Sequence, residues 1–317
     1  MTVSVPPDRA LVIGEALIDV VDRADRSDAH VGGSPLNVAV GLARLGVDVV
    51  FATEFSDDAH GRLIDDHLRS AEVAWVQTTS SREPTSTARA RIGRDGSASY
   101  VFDLRWVFDA PPRTDGFSVV HVGSVGALRP PGALGVIDLV ESLPSDVLVT
   151  FDPNIRPALL PPREQTRELV ERFAARANLV KLSDEDAEWL YPEDPSVAPA
   201  RLLAQGASIV AVTRGAAGSD IHTEGRSVTV PPYRTEVADT IGAGDAYMSG
   251  LVGAIVRGGL TARVIDGAAS GADLTAIGGL AAVAAGLTVG RAGAVPPTED
   301  EIAAVAELPW ARVSTRG

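Results

Sequence analysis

The chain has 317 residues, 45% of them apolar, 22% charged and 5% aromatic, which suits a globular protein of enzyme size with material for a substantial core. Its 28 basic and 42 acidic side chains leave a net charge of −14, which argues against nonspecific binding to nucleic acid or to an anionic membrane. There is no cysteine, so disulfides, zinc thiolate sites, iron-sulfur clusters and thiolate catalysis are excluded.

The first nine residues lack a basic segment leading into an apolar stretch and a small-residue cleavage site, so no secretory signal is expected, and a cytoplasmic location is. Short β-branched runs follow at Ala10 to Ile13, Val47 to Ala52, Ser118 to Val122, Val147 to Phe151, Leu179 to Leu182 and Ser208 to Thr213. Between and after them, Pro35 to Leu45, Ala59 to Ser70, Pro131 to Ser142, Arg163 to Ala177 and Asp245 to Arg257 place apolar residues at helical spacing. The alternation predicts an α/β fold, a largely parallel sheet covered by helices. Two segments break the rhythm, Ile18 to Val31 and Thr85 to Phe108. The second carries Arg94-Asp95-Gly96 between strand-like arms, a hairpin signal. The two are expected to pair into a small sheet beside one domain spanning residues 1–317. The uncharged stretch Leu274 to Gly290 is broken by Gly278, Gly279 and Gly286 and falls short of the roughly 20 clearly apolar residues of a membrane span. A buried helix is expected there.

The most informative stretch is Asp239-Thr240-Ile241-Gly242-Ala243-Gly244-Asp245, which leads from a strand-like run into an apolar helix. Small residues at a helix start leave its first amides open, so Gly242, Ala243 and Gly244 form an anion site. A carboxylate beside a phosphate is repelled, which makes Asp245 a poor phosphate holder. The two features agree if Asp245 accepts the proton of a hydroxyl attacking the bound phosphorus. The plainer alternative is that Asp245 begins the helix and the glycines turn the chain. Neither a G-x-x-x-x-G-K-[ST] loop nor a G-x-G-x-x-G turn after the first strand competes.

Asp19 closes the run Gly14 to Asp19 after the first strand, at the usual ligand edge of a parallel sheet, where a carboxylate can accept hydrogen bonds from two hydroxyls. Asp152-Pro153-Asn154-Ile155-Arg156 follows a later strand in the same way. The Arg156 guanidinium suits either a carboxylate or phosphates, or a surface ion pair.

Asp239 to Asp245 closely resembles the C-terminal signature D-T-T-G-A-G-D of the PfkB, or ribokinase-like, carbohydrate kinases, Ile241 being the departure. Gly32-Gly33-Ser34-Pro35-Leu36-Asn37 resembles that family's N-terminal signature, and the motifs at Gly14 to Asp19 and Asp152 to Pro157 resemble its fructokinase branch. The resemblance implies a three-layer α/β/α fold whose small β-sheet is a lid over the sugar, often a homodimer interface. It implies an ATP-dependent sugar kinase acting on a primary hydroxyl of a ketohexose, fructose giving fructose 6-phosphate, with Asp245 as the base. Asp19, Gly32, Gly33, Asn37 and Arg156 would hold the sugar, and Arg89, Arg91, Phe102 and Arg105 of the lid could help select it. Lys181, Thr213, Gly215 and Gly218 would meet ATP. Asp186 would meet Mg2+ through water, in place of the family's glutamate, or Glu185 would substitute; a monovalent cation is a further cofactor the family allows. The alternatives are a 2-keto-3-deoxygluconate kinase, or a noncatalytic sugar sensor on a kinase scaffold.

Overall fold

The computed structural model describes residues 8–22, 27–80, 83–92 and 98–306. In chain order, the first third builds β1 (Arg9–Ile13), β2 (Leu17–Asp22), β3 (Ser27–Gly32), α1 (Ser34–Arg44), β4 (Asp48–Thr53), α2 (Ala59–Ser70), β5 (Ala74–Gln77), β6 (Thr87–Ile92) and β7 (Ala98–Asp103). The middle builds β8 (Val119–Gly123), α3 (Ser124–Leu128), α4 (Gly132–Ser142), β9 (Leu148–Asp152), α5 (Arg163–Ala174), β10 (Leu179–Ser183), α6 (Asp184–Leu190), α7 (Ala198–Gln205) and β11 (Ile209–Thr213). The hairpin β12 (Ser219–Thr223) and β13 (Arg226–Val230) precedes a helical end: α8 (Ala243–Arg257), α9 (Thr261–Ile265), α10 (Gly271–Val289) and α11 (Glu299–Ala303).

The main sheet runs β13-β12-β11-β10-β9-β8-β1-β4-β5, with β5 through β11 parallel and the β12–β13 edge antiparallel. The six β-branched runs are its parallel centre, as the alternation predicts. Parallel strands covered on both faces bury both sets of side chains, and β1 shows it: Ala10 and Val12 pack with α1, α8 and α10, while Leu11 and Ile13 pack with α4 and α5. Phe151 of β9 stacks on Phe173 of α5 at 4.9 Å, both fully buried. Phe151→Ala is expected to cost about 3–5 kcal/mol, read as a lower denaturant midpoint at unchanged m value. An unshifted midpoint would contradict this packing.

A second sheet, β3-β2-β6-β7, is built from the two irregular segments, with β2 and β6 parallel and both outer pairs antiparallel. The turn at Arg94 to Gly96 lies outside the described residues, as does the side chain of Arg91. The stretch before Asp239 is not a strand: Pro231 and Pro232 supply no amide donors, and Ala238 and Asp239 donate instead to the Val289 carbonyl. Among the described residues, α10 alone is long and apolar enough to cross a membrane by length and composition; half of its apolar window is buried, with Leu274, Ile277, Leu280 and Ala281 in one core with Met248 and Leu251 of α8.

Chain order sets the site. From β1 the sheet is extended through β4 in one direction and through β8 to β11 in the other, so a crevice forms where the direction switches, at the carboxyl ends of the strands.

Candidate active site

A cavity of about 480 Å³ opens at this crevice, walled by Glu15 after β1, Ser124 after β8, Asn154 and Arg156 after β9, and the head of α8. Leu17, Ala88, Phe102 and Leu104 of the small sheet and its continuation form the opposite wall. Asp245, Gly242, Gly244, Asp19, Gly33, Asn37 and Arg156 all line this cavity, although they come from segments more than 200 residues apart in sequence.

Asp245 is 9% exposed, in the first turn of α8. Its Oδ1 accepts the Ser34 hydroxyl at 2.6 Å and its Oδ2 accepts the Asn37 amide at 2.8 Å, so α1 fixes the orientation of the carboxyl. Burial pushes its pKa up, and the Ser34 and Asn37 hydrogen bonds and the Lys181 and Arg156 charges oppose the rise. Gly242 caps α8 at φ +76°, a left-handed conformation that favours glycine, and its carbonyl accepts the Ala246 amide as the first bond of the helix. The Gly244 and Asp245 amides therefore precede the helical ladder at the positive end of α8. Ala243 does not line the cavity, and its amide already donates to the Thr240 carbonyl at 3.3 Å. Asp239 braces the approach loop by accepting the Ile241 and Gly293 amides, and those two bonds hold its carboxyl below the usual range. Ile241 is 62% exposed, so a side chain differing from the family's threonine meets little constraint there.

On the opposite wall Asp19 is exposed to the cavity, yet the surrounding protein displaces enough water to raise its pKa, against the nearby His30 charge. Gly32 lies one step outside the lining; a Cβ there would collide with the Asp19 carboxyl. Gly33 adopts φ +115° at the start of α1. Asn37, expected on the sugar, gives its amide to Asp245. Of the small-sheet residues expected to select the sugar, Phe102 reaches the cavity, whereas Arg89 pairs with Asp22 and Arg105 with Glu83.

Beneath the head of α8 lies a buried charge cluster. Lys181 of β10 is 4% exposed and donates to Asp152 Oδ2 at 2.9 Å. Its Nζ would lie 3.0 Å from a Cβ at Gly244, so the ammonium approaches the backbone at the head of α8 where a side chain would otherwise stand. Burial alone would lower the Lys181 pKa, but Asp152, Asp186 and Asp245 hold it above its usual value. The lysine is buried and ion-paired, not solvated. Burial raises Asp152 to about 6 despite Lys181, and its Oδ1 is buried with no partner among the described residues. His121 of β8 is kept neutral by burial and the Lys181 charge, its pKa lowered to about 3, with Nδ1 3.0 Å from the Thr150 hydroxyl.

Asp186 is buried and occupied: it completes a capping box with Ser183 at the start of α6, and its Oδ1 accepts the Ile155 amide at 2.8 Å. Glu185 is exposed. No group of three or more His, Cys, Asp or Glu arranged to hold a metal occurs among the described residues. Thr213, Gly215 and Gly218 lie outside the cavity in a tight turn at the carboxyl end of β11, where Thr213 registers with Ser183 of β10.

Three lining groups escape the sequence reading. Glu15 is buried behind β1, and its Oε2 accepts the Gly126 amide at 2.7 Å. Ser124 and Asn154 take φ of +54° and +38°, conformations a non-glycine residue adopts at a cost. A carboxylate two residues beyond the apolar run Ala10 to Ile13 is the readable signal for Glu15; sequence carries none for the other two.

Residues 8–301 match the profile of the pfkB family carbohydrate kinases. A fructokinase of Rhizobium leguminosarum bv. trifolii is 30% identical over 258 residues, covering 77% of this chain and 79% of the relative. A fructokinase of Klebsiella pneumoniae is 31% identical over 261 residues, covering 78% and 85%. Among solved structures, the fructokinase of Xylella fastidiosa with bound ATP aligns at a TM-score of 0.81 and 27% identity, over 93% of this chain and 97% of that one. A family match over nearly all of the described chain joins the same fold and a buried aspartate at the head of α8. The chain belongs to the pfkB family of carbohydrate kinases and is a phosphotransferase.

Proposed function

We propose that this kinase transfers the γ-phosphoryl group of ATP to the primary hydroxyl of a neutral ketohexose, fructose giving fructose 6-phosphate. The observation that carries the reading is Asp245, buried and oriented by Ser34 and Asn37 on the same cavity wall as the leading amides of α8. The sugar hydroxyl gives its proton to Asp245 as its oxygen bonds to the γ-phosphorus. The bond from that phosphorus to the β,γ-bridging oxygen breaks, and ADP leaves. The Gly244 and Asp245 amides and the Lys181 ammonium beneath them would stabilise negative charge on the transferred group. Both carboxylate oxygens of Asp186 already accept backbone amides, so this residue would meet the magnesium of a MgATP substrate only through water, where the ion would supply positive charge to the phosphates. Thr213, Gly215 and Gly218 would border the nucleotide.

The charge of the sugar cavity supports a neutral substrate, because Glu15, Asp19 and Asp245 face a single guanidinium, Arg156. The names of the two bacterial relatives point the same way. Arg156 has no carboxylate partner among the described residues, which is what keeps a keto-acid substrate as the second reading. ADP release measured with fructose, tagatose, ribose, adenosine and 2-keto-3-deoxygluconate tests the assignment. Fructose is expected to exceed the keto acid in kcat/KM by at least about tenfold. Preference for the keto acid would move Arg156 to carboxylate recognition, and sugar binding without ADP release would favour a sensor.

A further inference from the structure

Two helices far apart in sequence meet at the head of α8. Ser34 and Asn37 stand three residues apart at the start of α1, a spacing that puts both side chains on one face, and both reach the Asp245 carboxyl. The helices touch again one turn on. Gly41 follows Asn37 by four residues as Ser249 follows Asp245, and a Cβ at Gly41 would collide with the Ser249 side chain. The absent side chain sets a helix separation that two short side chains can bridge.

Ser34 does not serve its own helix. Gly33 is the N-cap of α1, which has no side-chain cap, and the Ser34 hydroxyl donates instead to Asp245 Oδ1, 211 residues away. Its 2.6 Å length is that of a hydroxyl donating to an ionised carboxylate. The charges around that buried carboxyl are mixed: Lys181 of β10 and Arg156 after β9 favour ionisation, while Asp152 of β9 and Glu15 after β1 oppose it. Asp19 of β2 lies across the cavity, and Asp239 of the approach loop is engaged by the Ile241 and Gly293 amides. From α3 only the uncharged Ser124 and Val125 line the cavity. The helices along α8 add no charge here. The one charged residue of α1, Arg44, is in its last turn, and that of α10, Asp273, is in its first, whereas the approach loop is held by Val289 at the other end of α10.

We propose that Ser34 is a positioning residue: its hydroxyl aims one oxygen of Asp245 and stabilises the carboxylate as proton acceptor. This rests on the reading of Asp245 as the base. An ionised carboxylate has about four acceptor positions, so the Ser34 and Asn37 bonds leave room for the sugar hydroxyl. A donor to the charged form favours that form, and taking the donor away makes the carboxyl easier to protonate.

The test uses Ser34→Ala, which removes the donor and leaves Asn37 in place, and Ser34→Thr, which keeps a hydroxyl. The chain is labelled with carbon-13 at its aspartate carboxyl carbons, and the Asp245 resonance, recognised by its absence from Asp245→Asn, is followed against pH. Its midpoint is expected to rise by about one pH unit in Ser34→Ala and to return towards wild type in Ser34→Thr. Ser34→Cys, nearly the same size but a weak donor, is expected to move it in the same direction as Ser34→Ala with the least disturbance of packing. In Ser34→Ala, kcat/KM for fructose should fall about tenfold on its acid limb and change less than about threefold on the plateau above it. A midpoint unmoved in folded Ser34→Ala or Ser34→Cys would overturn the proposal, as would a loss of kcat/KM that is equal at every pH. The titration needs no turnover, so the two readings fail separately. An unmoved midpoint with an inactive Asp245→Asn removes Ser34 and keeps the base, whereas a raised midpoint with a fully active Asp245→Asn removes the base.

Discussion

Asp245→Asn is expected to lower kcat by about 10²- to 10⁴-fold while changing sugar affinity less than about threefold. Asparagine has nearly the same shape and can still accept from the Ser34 hydroxyl, so the cavity wall survives while the proton acceptor is lost. The expected split between kcat and binding follows from geometry: both carboxylate oxygens are oriented by α1, and the group is buried where water is a poor substitute base. The upward displacement of its pKa makes the carboxylate a stronger base than an exposed aspartate. Steady-state kinetics with sugar binding by calorimetry checks this. A variant that turns over within about tenfold of wild type would remove Asp245 from the base role.

Lys181→Met is expected to destabilise the fold by about 3–5 kcal/mol at pH 8, because Asp152 stays buried without its cation and must either hold a proton that the unfolded chain releases or carry an uncompensated charge. The pH dependence carries a sign. Asp152 stands at about 6 even with Lys181 beside it, above its usual range because of burial. Removing the cation moves it higher, so the native variant keeps the proton that the unfolded chain releases at a lower pH. Stability of the variant is then lost as pH rises, and its deficit relative to wild type should be larger at pH 8 than at pH 5. Urea unfolding at the two pH values measures this. An Asp152→Asn/Lys181→Met double variant should recover part of the deficit, since neither charge is then stranded. A pH-independent deficit would show that the loss arises from packing and not from the pair. ATP turnover in the single variant should also fall, given how closely the ammonium approaches Gly244.

Much of the fold was legible because parallel strands covered on both faces read as uninterrupted apolar runs, as at Ala10 to Ile13 and Ile209 to Val212. The edges were less so. β5 has only four residues, alternately exposed and half-buried, and β12 and β13 mix polar with apolar positions. Asp245 stood out because a carboxylate conflicts with the anion site that small residues create. Lys181 is instructive in the other direction. That it is the single lysine of an acidic chain says nothing of where it lies, but strand parity puts it on the same face as the buried Leu179, the face that α8 and α10 cover. Asp186, expected to meet magnesium through water, is seen completing a helix cap with Ser183. The left-handed residues Ser124 and Asn154 could not be read, because their conformations are imposed by the turns joining β8 and β9 to the cavity and neither residue type announces them.

The most direct measurement is nuclear magnetic resonance of the product formed from fructose and MgATP, following phosphorus and the sugar carbons together. A phosphomonoester on the oxygen at carbon 6, appearing as ADP accumulates and missing with Asp245→Asn, is the predicted result. ATP consumed with no phosphorylated sugar, or the same product formed at an unchanged rate by Asp245→Asn, would contradict the account.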